Sequence, residues 1–111
     1  MTIQDLIIED ILVGSGAEVN KGDTVSIHYS GTFENGKKFD SSYDRGTPFS
    51  TPIGVGYVIA GWDQGVIGMK VGGKRKLTIP YHLAYGENGI PGAIPPKSTL
   101  IFELELVAVK K

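Results

Sequence analysis

The densest group of charged and hydroxyl side chains beside aromatic residues is the segment 39–45, FDSSYDR. A carboxylate placed there could act as a general base, because Asp is among the side chains that transfer protons in enzymes. Asp40 could equally cap a turn through Ser41 and Ser42, or form an ion pair with Arg45. Structural pairs of this kind outnumber catalytic ones, so the residue types favour the structural interpretation.

Two glycine-rich segments come close to nucleotide-binding motifs. Residues 68–75, GMKVGGKR, have the glycines of a phosphate-binding loop, with Lys74 at the lysine position. Arg75 stands where a Ser or Thr hydroxyl would contact magnesium, and a strand pattern follows in place of a helix, so we interpret the segment as a turn. Residues 54–56 supply two glycines of a dinucleotide fingerprint. Ile59 occupies the position of the third glycine, and no βαβ unit surrounds the segment.

Metal and nucleophile chemistry lack the side chains they need. The two histidines, His28 and His82, lie far apart in the sequence with no carboxylates at ligand spacing, so we predict no metal site. The absence of cysteine removes disulfides, thiolate ligands and cysteine nucleophiles together. Serines are plentiful, but no nucleophile elbow accompanies them. We therefore expect neither a metal nor a cofactor, and we interpret His28 as a residue on a sheet face.

The single tryptophan, Trp62, lies between glycines in residues 58–66, VIAGWDQGV. An indole in such surroundings is either a plug in the core or the floor of an apolar binding pocket. Any one large aromatic side chain is more often part of a core. Composition does not separate the two interpretations, and both apply to the other aromatic residues spread along the chain. These include Tyr29, Phe39, Phe49, Tyr85 and Phe102.

The elements that must position these side chains are mostly strands. Residues 25–30 and 100–106 alternate apolar and polar side chains, as half-buried strands do. Residues 74–79 form a third such segment. Residues 6–13 are apolar and predicted to be extended, with a helical turn as the alternative. An Asn-Gly pair at 35–36 favours a hairpin, because both residues tolerate positive φ.

One short helix is predicted at residues 58–65, where Ile59, Trp62 and Val66 recur at helical spacing and a glycine can end the helix. A helix of about eight residues is marginal alone, so it must pack against the sheet. Residues 85–98 are rich in glycine and proline and form a long irregular loop, which in a compact domain is usually functional or disordered. The apolar Ile90, Ala93 and Ile94 in it disfavour disorder. These elements predict a small α+β domain.

Length and charge set further bounds. A chain of 111 residues is expected to form one domain, residues 1–111. The formal net charge of −1 argues against a nucleic-acid partner, which would favour an excess of basic residues. No segment reaches the roughly 20 apolar residues of a membrane helix, and the first residues lack the basic stretch of a signal peptide. We therefore expect a soluble, monomeric, cytoplasmic protein that binds neither nucleic acid nor membrane.

Three segments, in the right order and with unbroken spacing, resemble the FKBP-type peptidyl-prolyl cis–trans isomerases. They are VSIHYSGTFENGKKFDSSYDRGTPF, VIAGWDQGVIGMKVGGKRKLTIP and LAYGENGIPGAIPPKSTLIFELELV. The likeness runs from about Val25 to Val107. It implies a twisted antiparallel sheet of five to six strands wrapped around one short α-helix, and an enzyme that accelerates rotation of Xaa-Pro peptide bonds during protein folding. It also implies proline-containing polypeptides as substrates and macrolides of the rapamycin class as inhibitors.

The resemblance assigns roles to residues by their position in these segments. Trp62 becomes the floor of a proline pocket, while the Ile59 N–H and the Tyr85 hydroxyl become donors to ligand carbonyls. Asp40 is expected to orient and polarise the site rather than to transfer a proton. Ile90 and Ile94 are placed by the resemblance on a flap loop over the site. The implied cleft residues are Tyr29, Phe39, Asp40, Phe49, Val58, Ile59, Trp62, Tyr85 and Phe102.

Three positions depart from the commonest family pattern. Tyr57 stands where a charged or amide side chain is common, and we expect it to widen the aromatic rim. Ala93 replaces a larger aliphatic residue, so the flap should pack less tightly on a ligand, and Ile90 makes the tip of the loop apolar. Two other functions compete with turnover: a binding module of the same fold, and a carrier of small apolar ligands. The complete aromatic set favours turnover, because a docking surface alone does not require it.

Overall fold

Six antiparallel strands in one sheet form the frame of the molecule in the computed structural model, which describes residues 5–111. The strands are β1 (Ile7–Leu12), β2 (Thr24–Phe33), β3 (Lys38–Ser41), β4 (Phe49–Pro52), β5 (Lys74–Ile79) and β6 (Leu100–Lys110). Two short helices, α1 (Ser42–Arg45) and α2 (Ala60–Gly65), and a 3₁₀ turn at Tyr81–Leu83 lie in the connections. The α+β fold class predicted from the sequence is therefore confirmed.

Strand order places β2 and β6 at the centre of the sheet. The order is β1-β5-β6-β2-β3. Both β3 and β4 pair with the edge of β2 that faces away from β6: β4 pairs with the first half of β2 and β3 with the second half. Alternation in β2 and β6 has the expected result, since every second residue from Val25 to Gly31 and from Leu100 to Leu106 is buried. The segment predicted to be extended near the start of the chain is β1, which pairs with β5 at the edge of the sheet.

The Asn-Gly pair makes the predicted hairpin between β2 and β3. Gly36 has a φ of 87°, in the region that favours glycine. The Phe33 N–H donates to the Lys37 carbonyl across the turn, and the Asn35 side-chain oxygen accepts from the Lys37 N–H at 2.8 Å. The hairpin sets the register that brings Phe39 and Asp40 back beside β2.

The helix predicted at residues 58–65 begins two residues later than expected. Ile59 has a ψ of 148° and is the residue that precedes the helix, so Val58 and Ile59 belong to the incoming loop. The helix ends at Gly65, as predicted. Two of its glycines face β5: a Cβ on Gly61 would lie 2.5 Å from Cγ2 of Ile79. These glycines therefore let α2 approach the sheet more closely than side chains would allow.

The expectation of one short helix is corrected by α1. Ser41 precedes α1 in extended conformation, and its side-chain oxygen accepts from the Tyr43 N–H. Gly46 ends the helix with a φ of 73°. Both ends carry the residues that cap helices, but four residues are too few for apolar periodicity to reveal. Within residues 5–111, no helix is long and apolar enough to cross a membrane.

Candidate functional site

An aromatic cleft of about 460 Å³ opens between α2, the inner face of the sheet and the loops that flank them. All nine cleft residues implied by the family resemblance line it, and Gly56 and Tyr57 join them. The lining residues are Tyr29, Phe39, Asp40, Phe49, Gly56, Tyr57, Val58, Ile59, Trp62, Tyr85 and Phe102. Strands β2, β3, β4 and β6 each contribute one or more of these side chains, so four of the six strands must be in place before the cleft is complete.

Trp62 is both core and floor. Its residue surface is only 4% exposed and it belongs to the hydrophobic core, yet it also lines the cleft. Its ring meets those of Tyr29 and Phe102 edge to face, with centroids 5.1 and 5.4 Å apart and interplanar angles of 84° and 88°. Pairs in this geometry add about 0.5–1.5 kcal/mol each beyond the area they bury. The two interpretations of the indole that the sequence left open therefore describe the same side chain.

The Trp62 indole N–H is buried and has no hydrogen-bond partner in the described part of the chain. A buried polar group without a partner costs about 1–3 kcal/mol, so this donor is a local weakness in an otherwise apolar floor. The surrounding aromatic packing offsets that cost. Phe49 contributes to this packing, with its ring centroid 6.0 Å from that of Trp62.

Asp40 is the centre of a polar network at the edge of the cleft. Its carboxylate accepts from the Tyr29 hydroxyl at 2.6 Å, from Nη1 of Arg45 at 2.7 Å and from the Ser41 N–H at 2.8 Å. Nη2 of Arg45 also donates to the Tyr29 hydroxyl oxygen at 2.8 Å. The ion-pair interpretation of Asp40 is thus present in the structure, and the same residue also lines the cleft. The side chain that caps the turn is that of Ser41, while Asp40 accepts from the N–H of Ser41.

Ionisation in this network leaves no group poised to take a proton. Partial burial acts to raise the pKa of Asp40, but the bonds from Tyr29 and Arg45 outweigh it and hold the pKa below its ordinary value. Burial and the neighbouring carboxylate raise the pKa of Tyr29. Asp40 is therefore a carboxylate and Tyr29 a neutral phenol near pH 7. An Asp with a lowered pKa is a poor general base, which disfavours proton transfer here.

Two hydrogen-bond donors at the cleft are free within residues 5–111. The Ile59 N–H precedes α2 and donates to no acceptor there. The Tyr85 hydroxyl likewise has no partner, and burial raises the pKa of this phenol so that it keeps its proton. Both lie in the lining of the cleft, where a bound carbonyl oxygen could accept from them.

Asp63 fixes the wall of the cleft that residues 54–58 form, a role that the sequence did not reveal. Its two carboxylate oxygens accept from the Gly54 and Gly56 N–H groups at 2.8 and 3.0 Å. Both glycines have positive φ, at 84° and 85°. The partners are backbone groups rather than side chains, so residue types alone carry no signal for this contact. Tyr57, which follows, is 74% exposed at the rim of the cleft.

Ile90 and Ile94 lie beside the cleft rather than in its lining. Their backbones bond to each other across a tight turn, with N···O distances of 2.8 Å in both directions. They line a neighbouring groove that shares Phe39, Asp40 and Tyr85 with the cleft. Ile94 is buried in the core, whereas Ile90 is 40% exposed at the tip of the loop. The other residues of the groove are Phe33, Lys37, Lys38, Gly92 and Ala93.

The remaining candidates for chemistry are structural. His28 lies on the sheet face, as predicted, where its ring stacks on Tyr43 at a centroid distance of 4.7 Å. The segment that resembled a phosphate-binding loop is a turn before β5, with positive φ at Gly68 and Gly72. Residues 5–111 contain no group of three His, Asp or Glu side chains that could hold a metal ion.

Comparison with known proteins gives one consistent result. Residues 16–107 match the family model for FKBP-type peptidyl-prolyl cis-trans isomerases. The FK506-binding protein of Neisseria meningitidis serogroup B is 58% identical over 104 residues, 94% of this chain and 95% of its own length. FK506-binding protein 1 of Saccharomyces cerevisiae is 58% identical over 103 residues, 92% of this chain and 90% of its own.

Solved structures agree with the sequence comparison. The crystal structure of AtFKBP13 superposes with a TM-score of 0.88 at 47% identity, covering 96% of this chain and 93% of that one. FkpA from Escherichia coli superposes with a TM-score of 0.87 at 47% identity, covering 95% of this chain and 48% of that one. The fold and the sequence therefore point to the same family.

Proposed function

Because the chain belongs to the FKBP-type peptidyl-prolyl cis–trans isomerase family and is an enzyme of that class, we propose that its aromatic cleft is where a Xaa-Pro peptide bond rotates. The observation that carries the proposal is the apolar floor of Trp62 with Tyr29 and Phe102 set edge-on around it. This enclosure fits the ring of a proline. We assign the whole chain, residues 1–111, to one isomerase domain.

The chemistry needs no nucleophile and no cofactor. Resonance holds the amide planar, with a rotation barrier of about 20 kcal/mol. Twisting the bond breaks the resonance and makes the amide less dipolar, so an apolar surface that excludes water favours the twisted amide over the planar one. Lowering the barrier by about 7 kcal/mol gives a turnover on the order of 10³ s⁻¹.

The donors at the cleft orient the substrate. The free Ile59 N–H and Tyr85 hydroxyl would each donate to a carbonyl oxygen on either side of the proline, which holds the chain while the bond between them turns. Asp40 and Arg45 keep the Tyr29 ring fixed against the floor through its hydroxyl. Asp40 therefore acts through the position of Tyr29 and its negative charge, not by accepting a proton.

Proline-containing polypeptides are the proposed substrates, and macrolides of the FK506 and rapamycin class are proposed to compete for the same cleft. Two relatives that cover nearly the same length are named for FK506 binding, which supports this assignment. We propose that the protein acts as a monomer, which size-exclusion chromatography with light scattering would test. A cytoplasmic location remains our prediction, to be tested by cell fractionation.

A refolding or protease-coupled assay on a Xaa-Pro peptide tests the assignment. We expect Trp62→Ala and Phe102→Leu to lower kcat/KM by about 5- to 150-fold, because each removes apolar contact from the floor or wall, worth about 1–3 kcal/mol. Tyr43→Ala is the control, since this aromatic residue is exposed and lies outside the cleft lining. Full activity in both cleft variants, or turnover that persists at saturating macrolide, would place the reaction elsewhere.

A further inference from the structure

Arg75 has a buried guanidinium under the end of α2 and no part in the proposed chemistry. It lies on the inner face of β5, and its side chain is only 11% exposed. Nη1 donates to the carbonyl oxygens of Gly65 and Ile67 at 2.9 and 3.1 Å. Nε donates to the Asp10 carboxylate on β1 at 2.7 Å. Three directed hydrogen bonds from a buried cation hold their acceptor groups in place.

What it touches is the helix that carries Trp62. Gly65 is the last residue of α2, three positions after the tryptophan, and its carbonyl has no partner within so short a helix. The other end of α2 has no side-chain cap, because Ile59 precedes it. Arg75 therefore supplies the side-chain bonds at the C-terminal end of the helix.

The packing of α2 on β5 does not by itself fix the position of the helix along the strand. Gly61 sits against Ile79 and Gly65 against Leu77, both so close that a Cβ on either glycine would overlap the opposing side chain. Glycine surfaces allow close approach but offer no side chain to interlock, so they resist sliding of the helix along the strand only weakly. Arg75 lies on the same face of β5, two residues before Leu77, where it can stop that movement.

We propose that Arg75 is a positioning residue for the isomerase site, setting the place of α2 along β5 and thereby the height of the Trp62 ring in the cleft. The inference rests on the proposed function of the cleft. Asp10 contributes to this positioning through its bond to Nε of Arg75. Because a guanidinium is planar, a fixed Nε also fixes the direction in which Nη1 points, which is toward the helix. A displacement of about 1 Å in a group that contacts the reacting bond can cost up to about 100-fold in rate.

The test is kinetic and spectroscopic, on the full chain. Arg75→Met keeps most of the length and removes the charge and the donors, and Arg75→Lys keeps the charge without the fork. Because Trp62 is the only tryptophan, its fluorescence reports its surroundings directly. We expect Arg75→Met to lower kcat/KM about tenfold and to shift the Trp62 emission maximum, and Arg75→Lys to restore part of both.

A stability control separates positioning from general loss of packing. Val25→Ala removes buried volume from β2 four residues before Tyr29, outside the cleft lining. At temperatures where all variants are folded by circular dichroism, it should lose stability and yet keep kcat/KM and Trp62 emission within twofold of the parent. If Arg75→Met is too unstable to measure, Asp10→Asn should show the same changes, about threefold in kcat/KM.

Two results would overturn the proposal. One is a folded Arg75→Met, or Asp10→Asn where the first does not fold, with unchanged Trp62 emission and kcat/KM. The other is an equal loss of kcat/KM in Val25→Ala at matched stability. Failure of the proposed function looks different: the parent protein would show no isomerisation, while the emission shift in the Arg75 variants would still report on the position of Trp62.

Discussion

Replacing Gly61 by Ala tests how closely the floor of the cleft must sit on the sheet. The new Cβ would lie 2.5 Å from Cγ2 of Ile79, about 0.9 Å short of the 3.4 Å at which ordinary contact begins. Ile79 is fully buried and branched at Cβ, so Cγ2 cannot turn away without a new rotamer in a filled core. The helix must therefore move outward by close to 1 Å, and Trp62 moves with it.

The magnitudes follow from that displacement. Overpacking costs about 1–3 kcal/mol of unfolding free energy, partly offset by the better helix propensity of Ala, about 1 kcal/mol. A floor displaced by about 1 Å should lower kcat/KM by about 10- to 100-fold. That loss in kcat/KM corresponds to about 1.4–2.7 kcal/mol, against a net loss of about 0–2 kcal/mol in unfolding free energy, so we expect activity to fall more than stability. Urea unfolding and the peptide assay measure the two quantities on the same samples.

A double variant isolates the contact responsible. Ile79→Ala removes all three atoms that crowd the new Cβ, so adding it to Gly61→Ala should return kcat/KM to the level of Ile79→Ala alone. Gly22→Ala is the matched control, because its strain comes from a φ of 91° in a turn where a Cβ meets nothing within 4 Å. The reasoning is refuted if Gly61→Ala keeps kcat/KM within twofold, or if Ile79→Ala gives no recovery.

Two further predictions concern the edge of the cleft. Partial burial acts to raise the pKa of Asp40, but the bonds from Tyr29 and Arg45 outweigh it and keep the pKa below its ordinary value. The ionised Asp40 therefore stabilises the folded protein fully above about pH 4, and this contribution is lost as the pH falls through the folded pKa. The gap in unfolding midpoint between the parent and Asp40→Asn should shrink from pH 6 to pH 3 in thermal melts, and a constant gap contradicts the network. Ala93→Ile should tighten macrolide binding about fourfold by calorimetry, since burying one of the three added carbons against the ligand contributes about 0.8 kcal/mol. Unchanged affinity means that the groove beside the cleft does not contact the ligand.

The sheet could be predicted from the sequence where one face of a strand is polar. Alternation gave β2 and β6, and an Asn-Gly pair gave the hairpin after β2. The predicted start of α2 was wrong because the spacing of Ile59, Trp62 and Val66 fits a helix that already includes Ile59, whereas the backbone at Ile59 is extended. Periodicity records which side chains face the core and is insensitive to where a helix takes its first turn.

The cleft could be predicted only through the family resemblance. An aromatic residue in a core and one at a pocket floor have the same periodicity, and Trp62 is both. Contacts between side chains and backbone leave no pattern in the sequence. Asp63 accepts from two backbone N–H groups, and Arg75 donates to two backbone carbonyls. Every residue has such backbone groups, so the sequence does not indicate which of them a side chain will bind.

The central position of β6 in the sheet determines when the protein can fold during its synthesis. This strand pairs with β2 along residues 24–33 and with β5 along residues 74–79, and it supplies Phe102 to the cleft. Contacts between segments so distant in sequence form late and slowly, because long loops must close first. On the ribosome, the cleft therefore lacks its β6 wall until Phe102 and the strand around it have left the exit tunnel.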